Sequence, residues 1–268
     1  MKHPGRQPTS DANGFTAILL VVLMAAWPAH AATLTVPQVI ATLHGKHPAD
    51  LAGQDLSRLD LADLDLTGAN LAGADLFGAD LTGARLVGAD LHGANLDRAI
   101  IIRADFSKAN LSGARMFLPA ASSVLGENPA AEAPSFRGAN LAGARLLAKL
   151  GNGDWTGVNL ANAHFELGRT QFLAAAHSDL SGCQMTNADL SGADLEGVSL
   201  TFADLRGANL TGANLQRANL AGARLDRAIL SGANLARADV HGASLHETIG
   251  LDRVVGLESV RNLDFADR

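Results

Sequence analysis

TGANLAGADLFGADLTGARLVGADLHGAN, residues 67–95, returns alanine and leucine every five residues. A helix asks for apolar residues about every 3.6 positions and a strand asks for them every 2. On a helix these leucines would drift around every side. Along one long strand an odd period would put successive leucines on opposite faces. The period is served when each pentapeptide forms one side of a square coil, bent at every corner, so that each side turns the same two residues inward. About twenty residues then close one turn. The leucine at the centre of a side and the small residue two before it fill the interior, and the other three residues point out.

Working outward from this stretch, the centres Leu71, Leu76, Leu81, Leu86, Leu91, Leu96, Ile101, Phe106, Leu111 and Met116 each follow an alanine by two positions. A second run has centres Leu190, Leu195, Leu200, Leu205, Leu210, Leu215, Leu220, Leu225, Leu230, Leu235, Val240 and Leu245, again with alanine two before each except at Val198. Repeats such as Ala69-Asn70-Leu71-Ala72-Gly73 and Ala208-Asn209-Leu210-Thr211-Gly212 resemble the A(D/N)LXX motif of pentapeptide-repeat proteins, over about residues 49–249. The resemblance implies an all-β fold, a right-handed quadrilateral β-helix. It implies little about activity, because a fold does not assign one.

A chain of 268 residues with 4% aromatic residues and no tyrosine suits such a thin core, one residue deep and filled by Leu and Ala. Lys2 and Arg6, the apolar stretch from Phe15 to Trp27 and then Ala29-His30-Ala31 read as a signal peptide over residues 1–31. A stretch of thirteen residues falls short of the roughly 20 that span a bilayer, which favours a cleaved leader over a membrane anchor. The mature protein is then expected to be periplasmic or secreted and not membrane-spanning. The formal charge is −6, and Lys2, Arg6 and Asp11 make the leader +1, so the mature chain carries −7.

Residues 32–48 are expected to form an N-terminal helical cap. Thr35 with Gln38 makes a capping box, Pro37 suits the first turn, Val36, Val39, Ile40 and Leu43 share a face, and Gly45 ends the helix. Residues 250–268 lose the five-residue period but keep Leu251, Val254, Val255, Leu257, Val260 and Leu263. They read as a C-terminal helical cap that covers the open end of the coil. The family resemblance adds a homodimer through this cap as an alternative.

The coil, residues 49–249, has irregular excursions at 117–135 and 147–177. Met116 and Phe136 are 20 apart, so the phase reads as preserved across the first. In the second, the centres slip by one residue after Leu146 to Trp155, Leu160 and Phe165, and residues 166–177 are degenerate. The Pro-, Ala- and Ser-rich first excursion reads as a loop leaving the wall, and such loops often carry contacts. Its candidate interaction residues are Phe117, Leu118, Val124, Leu125 and Glu127, stiffened by Pro119, Pro129 and Pro134. An inert insertion and an irregular piece of wall are the alternatives.

Residues 20 apart should stack, giving outward columns such as Asp50, Asn70, Asp90, Asn110 and Asp65, Arg85, Asp105. Interleaving with Asn or Arg relieves carboxylate repulsion, so these acids read as structural. His44, His47, His241 and His246 have no spacing that would bring them to one metal ion. Cys183 occupies the small inward slot two before Met185. No G-x-S-x-G, P-loop or H-E-x-x-H is present, and nothing in the pattern makes a pocket around paired carboxylates. No catalytic residue, cofactor, metal or small-molecule substrate is therefore expected. Arg98, Arg103 and Lys108 fall on three successive sides, which spreads positive charge and argues against a nucleic-acid groove.

The expectation is an exported, non-enzymatic repeat solenoid that serves the bacterial envelope as a rigid structural or protein-interaction module for an unknown protein partner. The alternative implied by the resemblance is a DNA-mimicking, topoisomerase-protecting protein. Duplex DNA carries one charge per roughly 1.7 Å, so a rod of about 40–48 Å would need over about 20 net charges to match it. A passive spacer is the third reading.

Overall fold

The structure is a computed structural model that describes residues 34–45, 48–123, 129–165 and 177–267. The expected leader, residues 1–31, lies outside the described residues.

Each pentapeptide contributes one ladder residue, placed just before the centre, to a parallel pairing with the turns on either side. Asp65 pairs with Arg85 and Arg85 with Asp105, in register at intervals of twenty. Arg85 N donates to Leu64 O at 2.9 Å, and Leu86 N donates to Asp105 O at 2.7 Å, so each side bonds to the turn before it and the turn after it. A tight turn closes each corner, as in Ala84 N to Leu81 O at 2.9 Å. The second residue after each centre takes the left-handed conformation, with φ +63° at Gly73 and +59° at Arg98. Glycine adopts it freely, whereas Arg98 does so at a cost of about 1–2 kcal/mol.

Four sides follow in order. Side one carries the centres Leu71, Leu91 and Leu111; side two Leu76, Leu96 and Met116; side three Leu81, Ile101 and Ala121; side four Leu86, Phe106 and Phe136. All are buried in one continuous apolar column, and the slot two before each holds a buried alanine, or Pro119 and Pro134 before Ala121 and Phe136. Outward Asp and Asn oxygens accept the backbone N–H two residues on, as Asp90 Oδ1 does from His92 N at 3.1 Å. The same oxygens accept from the next turn's asparagine, at 3.0 Å from Asn70 to Asp50, 3.0 Å from Asn110 to Asp90 and 3.1 Å from Asn209 to Asp189. The acids are structural, as their columns imply.

Helix α1, Val36–Gly45, precedes the coil. Gln38 Oε1 accepts from Thr35 N at 2.7 Å and from Thr35 Oγ1 at 2.8 Å, which is one half of the expected capping box. Val39 and Leu43 are buried, continuous with the coil core. In the first turn Leu59 and Leu64 fill slots that hold alanine elsewhere, and they also pack against that core.

The middle corrects two expectations. Strand β1, Arg115–Phe117, pairs with β2, Arg145–Leu147, so that Met116 lies against Leu146 rather than Phe136. Phe136 instead stacks on Phe106, with centroids 5.1 Å apart. The first excursion therefore adds ten residues, two whole sides, so the five-residue phase is kept while Phe136 lies half a turn on from Met116. Residues 117–121 belong to the wall: Leu118 N donates to Leu147 O at 2.7 Å, Ala120 pairs with Ile100, and Ala121 is buried. Between Ala121 and Ser135 no described residue joins the ladder. There the Glu132 carboxylate accepts from Ser123 N at 2.7 Å, Ser123 Oγ at 2.6 Å and Ser122 Oγ at 3.1 Å.

Most of the second expected excursion is also wall. Leu150, Trp155, Leu160 and Phe165 are buried centres, one residue having been dropped at the corner after Leu146. Strand β3, His164–Phe165, pairs with β2. Trp155 fits because Gly153 stands where alanine would be: a Cβ there would lie 2.7 Å from its Nε1. Only residues 166–176 lie outside the described wall, and Lys149 pairing with Asp179 shows that they too add ten residues.

At the C-terminus the pairing continues with sides of six residues. Asn234 pairs with Val255, Asp239 with Arg261 and Ser244 with Asp267. The sequences GLDRVV, GLESVR and NLDFAD each open on a left-handed residue and a 3-10 turn, at Leu251–Arg253, Leu257–Ser259 and Leu263–Phe265. Leu251, Val254, Val260 and Leu263 remain only partly buried at this end.

Candidate functional site

The regular wall repeats short polar side chains, so a site must be sought where that repetition fails. It fails most on side two and on the edge between sides two and three, in the third, fourth and fifth turns. Arg98 stands on that edge, its guanidinium carbon 6.0 Å from the Phe77 ring centroid, with Arg58 5.9 Å from the same ring on the other side. In the next two turns Arg115 and Arg145, paired in the ladder, hold their guanidinium carbons 5.9 and 5.7 Å from the Phe117 centroid. Such contacts keep long cationic side chains extended over the rings. Leu118, with φ +53°, projects from the same edge and is 43% exposed. Ile100 and Ile102 continue the half-buried apolar surface onto side three.

Arg115 also pairs with Asp97, a buried carboxylate that accepts Phe117 N at 3.0 Å. That carboxylate fixes the strand and one arginine together. Arg58 and Arg98 make no salt bridge among the described residues. Of the five candidate interaction residues, the structure places Phe117 and Leu118 in this cluster. Val124, Leu125 and Glu127 lie outside the described residues. The structure brings in Arg98, Arg115 and Arg145 as well, which sequence reasoning did not connect. Their signal was present: counting the first excursion as two extra sides puts residues 115 and 145 in one column.

Among the described residues the ladder of the wall is interrupted twice, once on each edge of side three. The first interruption follows Ala121, at the edge between sides three and four, where Arg103 N donates to Glu132 O at 2.8 Å. The second interruption follows Phe165, on the same edge as Arg98 and Leu118. The two breaks flank side three.

A second feature is a shallow groove on side four, of about 680 Å³, lined in part by Arg206, Arg224, Asp226, Arg227, His246 and Glu247. Its charges satisfy one another. Arg206 Nε donates to Asp204 Oδ1 at 2.7 Å and Nη2 to Oδ2 at 2.5 Å. These bonds, foremost, hold the Asp204 carboxyl below the usual range and raise the Arg206 guanidinium. Arg227 Nε donates to Glu247 Oε2 at 2.7 Å, and His246 Nε2 lies 2.9 Å from Asp267 Oδ2.

The remaining candidates separate. His241 packs against Phe265, with centroids 5.4 Å apart, while His44 ends α1 and His47 lies outside the described residues. Among the described residues no three His, Cys, Asp or Glu side chains converge as a metal site. Cys183 is buried in its alanine slot and donates to Leu150 O at 3.2 Å, and burial pushes its thiol up to about 12. No helix among the described residues is long and apolar enough to cross a membrane.

The pentapeptide-repeats family model matches residues 49–83, 74–113, 178–217 and 213–249, in eight copies that together span just over half of the chain. The comparison with curated proteins gives no match. Among solved structures, the chain is similar to HetL, a pentapeptide repeat protein involved in heterocyst differentiation regulation from the cyanobacterium Nostoc sp. strain PCC 7120. That likeness has 27% identity over 87% of this chain and 94% of the other, with a TM-score of 0.44. QnrB1, a plasmid-mediated fluoroquinolone resistance protein, is 21% identical over 82% of this chain and 92% of its own, with a TM-score of 0.45. A protein from the Arabidopsis thaliana thylakoid lumen is 33% identical over 43% of this chain and 64% of its own, with a TM-score of 0.24.

Proposed function

The chain belongs to the pentapeptide-repeat family, and from that premise we propose that it is a non-enzymatic, rigid protein-interaction module, exported to the periplasm or beyond by residues 1–31. The coil winds right-handed, the hand that parallel β connections take. Helix α1 and the widened last turn close its two ends.

One observation carries the interaction reading. The basic and aromatic cluster at Arg98, Arg115, Phe117, Leu118 and Arg145 lies on the edge where the ladder is interrupted after Phe165, with the other interruption across side three. A passive spacer has no need to gather its exceptions, whereas a binding surface needs local features that its other positions lack. The DNA-mimic alternative finds less support, because the acids are interleaved with asparagine and arginine along their columns and the mature charge is −7.

The test is site-specific photocrosslinking in cells, with a benzophenone side chain at Leu118 or, on side one, at Thr211. The reading expects one saturable protein adduct at 118 and none at 211. The same faint adducts at both positions would leave a spacer. Recovery of the mature protein with its amino terminus near Ala32 checks export.

The last turn favours a second contact, a homodimer. Ile249, Val255 and Phe265 are 55, 56 and 66% exposed there, beside Leu251, Val254, Val260 and Leu263, which are only partly buried among the described residues. Sedimentation of Val255→Asp against wild type, the variant being a monomer and wild type a dimer, tests it.

A further inference from the structure

We propose that the cluster on side two binds a short acidic segment of a partner protein, about three to four extended residues long, with carboxylates meeting Arg98, Arg115 and Arg145 and an apolar side chain seated on Leu118. The inference rests on the interaction reading above and specifies its ligand.

The cations occupy three successive turns, a window of about 10–14 Å at the strand spacing. Carboxylates bound the window at both ends of the same side. Toward the N-terminus stand Asp75, which accepts from Asn95 Nδ2 at 2.8 Å, and Asp55. Toward the C-terminus, beyond His164, stand Asp194 and Glu196, the latter 2.9 Å from Arg217 Nη1. A long polyanion laid along the side would leave the cations and run over these acids. DNA, with a charge every roughly 1.7 Å, and an anionic membrane are both longer than the window. A short acidic segment meets only the favourable part.

The site is also prepared for carboxylates. The guanidinium groups are held against Phe77 and Phe117, and Asp97 fixes Arg115, so less side-chain freedom is lost on binding. An extended peptide can lie across this outward surface. Ile100, Ile102 and Leu118 give such a peptide an apolar footing beside the charges.

The experiment uses the mature chain and a fluorescein-labelled peptide, Gly-Ser-Glu-Glu-Leu-Glu-Ser-Gly, followed by fluorescence anisotropy. Parallel arms use a short DNA duplex and phosphatidylglycerol vesicles. The variants are Arg98→Glu/Arg145→Glu, the milder Arg98→Gln/Arg145→Gln should the first not fold, and the distant Arg237→Glu. The expected result is peptide binding that weakens with added salt, falls about tenfold or more in either double variant, and is unchanged in Arg237→Glu. No peptide binding, equal binding by wild type and a folded double variant, or tighter binding of DNA or vesicles overturns the proposal. A saturable crosslink at Leu118 with no peptide binding would overturn only the acidic ligand and leave the interaction reading standing.

Discussion

Arg145 lies next to Arg115 in the parallel ladder of side two, thirty residues along the chain instead of twenty. The chain between them is ten residues longer than one regular turn, and two arginines distant in sequence come to frame one phenylalanine. This displacement makes the cluster on which the functional reading stands. A strict repeat could not have made it, because it would have placed Ser135 beside Arg115.

The inward register has a direct consequence at Leu86, which is fully buried between Leu66 and Phe106. Leu86→Asp should lower stability by about 3–5 kcal/mol, since it opens a gap in the column and buries an unpaired carboxylate. Thr82→Asp, four residues earlier but outward, should change stability by less than about 1 kcal/mol. Thermal unfolding of the two variants side by side checks this, and equal effects would reject the register.

That register was legible from residues 67–95 alone, because a period of five has one compact solution and the composition of the slots agrees with it. The ladder pairings followed from it, as did the structural role of Asp50, Asp90 and Asp105. The excursions were harder. An insertion of ten residues leaves the five-residue phase intact, so Phe136 keeps the beat set by Met116 while moving two sides round. Phe117 and Leu118 looked like loop because the repeat's small and polar residues are missing, yet their backbone still pairs. The six-residue sides after Gly250 were hidden for the opposite reason, being only three in number.

Cys183 should be inert while the protein is folded. Burial raises its thiol to about 12, so almost no thiolate exists at neutral pH. An aromatic disulfide reagent should therefore titrate no thiol in native buffer and one per chain in denaturant. Rapid reaction in native buffer would mean that the coil opens readily near Leu150.

Acid should expose the worth of Asp204. Its bonds to Arg206 keep its carboxyl below the usual range when folded, so the stability it lends is present at neutral pH and lost as pH falls below about 4. Asp204→Asn should cost about 1 kcal/mol at pH 7, a modest figure because both arginine partners are half exposed to water. The difference between variant and wild type should shrink toward zero near pH 2. Urea unfolding at the two pH values measures it.

The ten added residues bring Arg115 and Arg145 together on side two. Parallel neighbours lie about 4.8 Å apart, within the range of Cα separations that a disulfide bridges. Arg115→Cys/Arg145→Cys should close a disulfide under mild oxidation, read as the mass of the linked peptides after digestion, while Arg115→Cys/Ser135→Cys should stay reduced. Closure of the 115–135 pair with the 115–145 pair open would contradict the account.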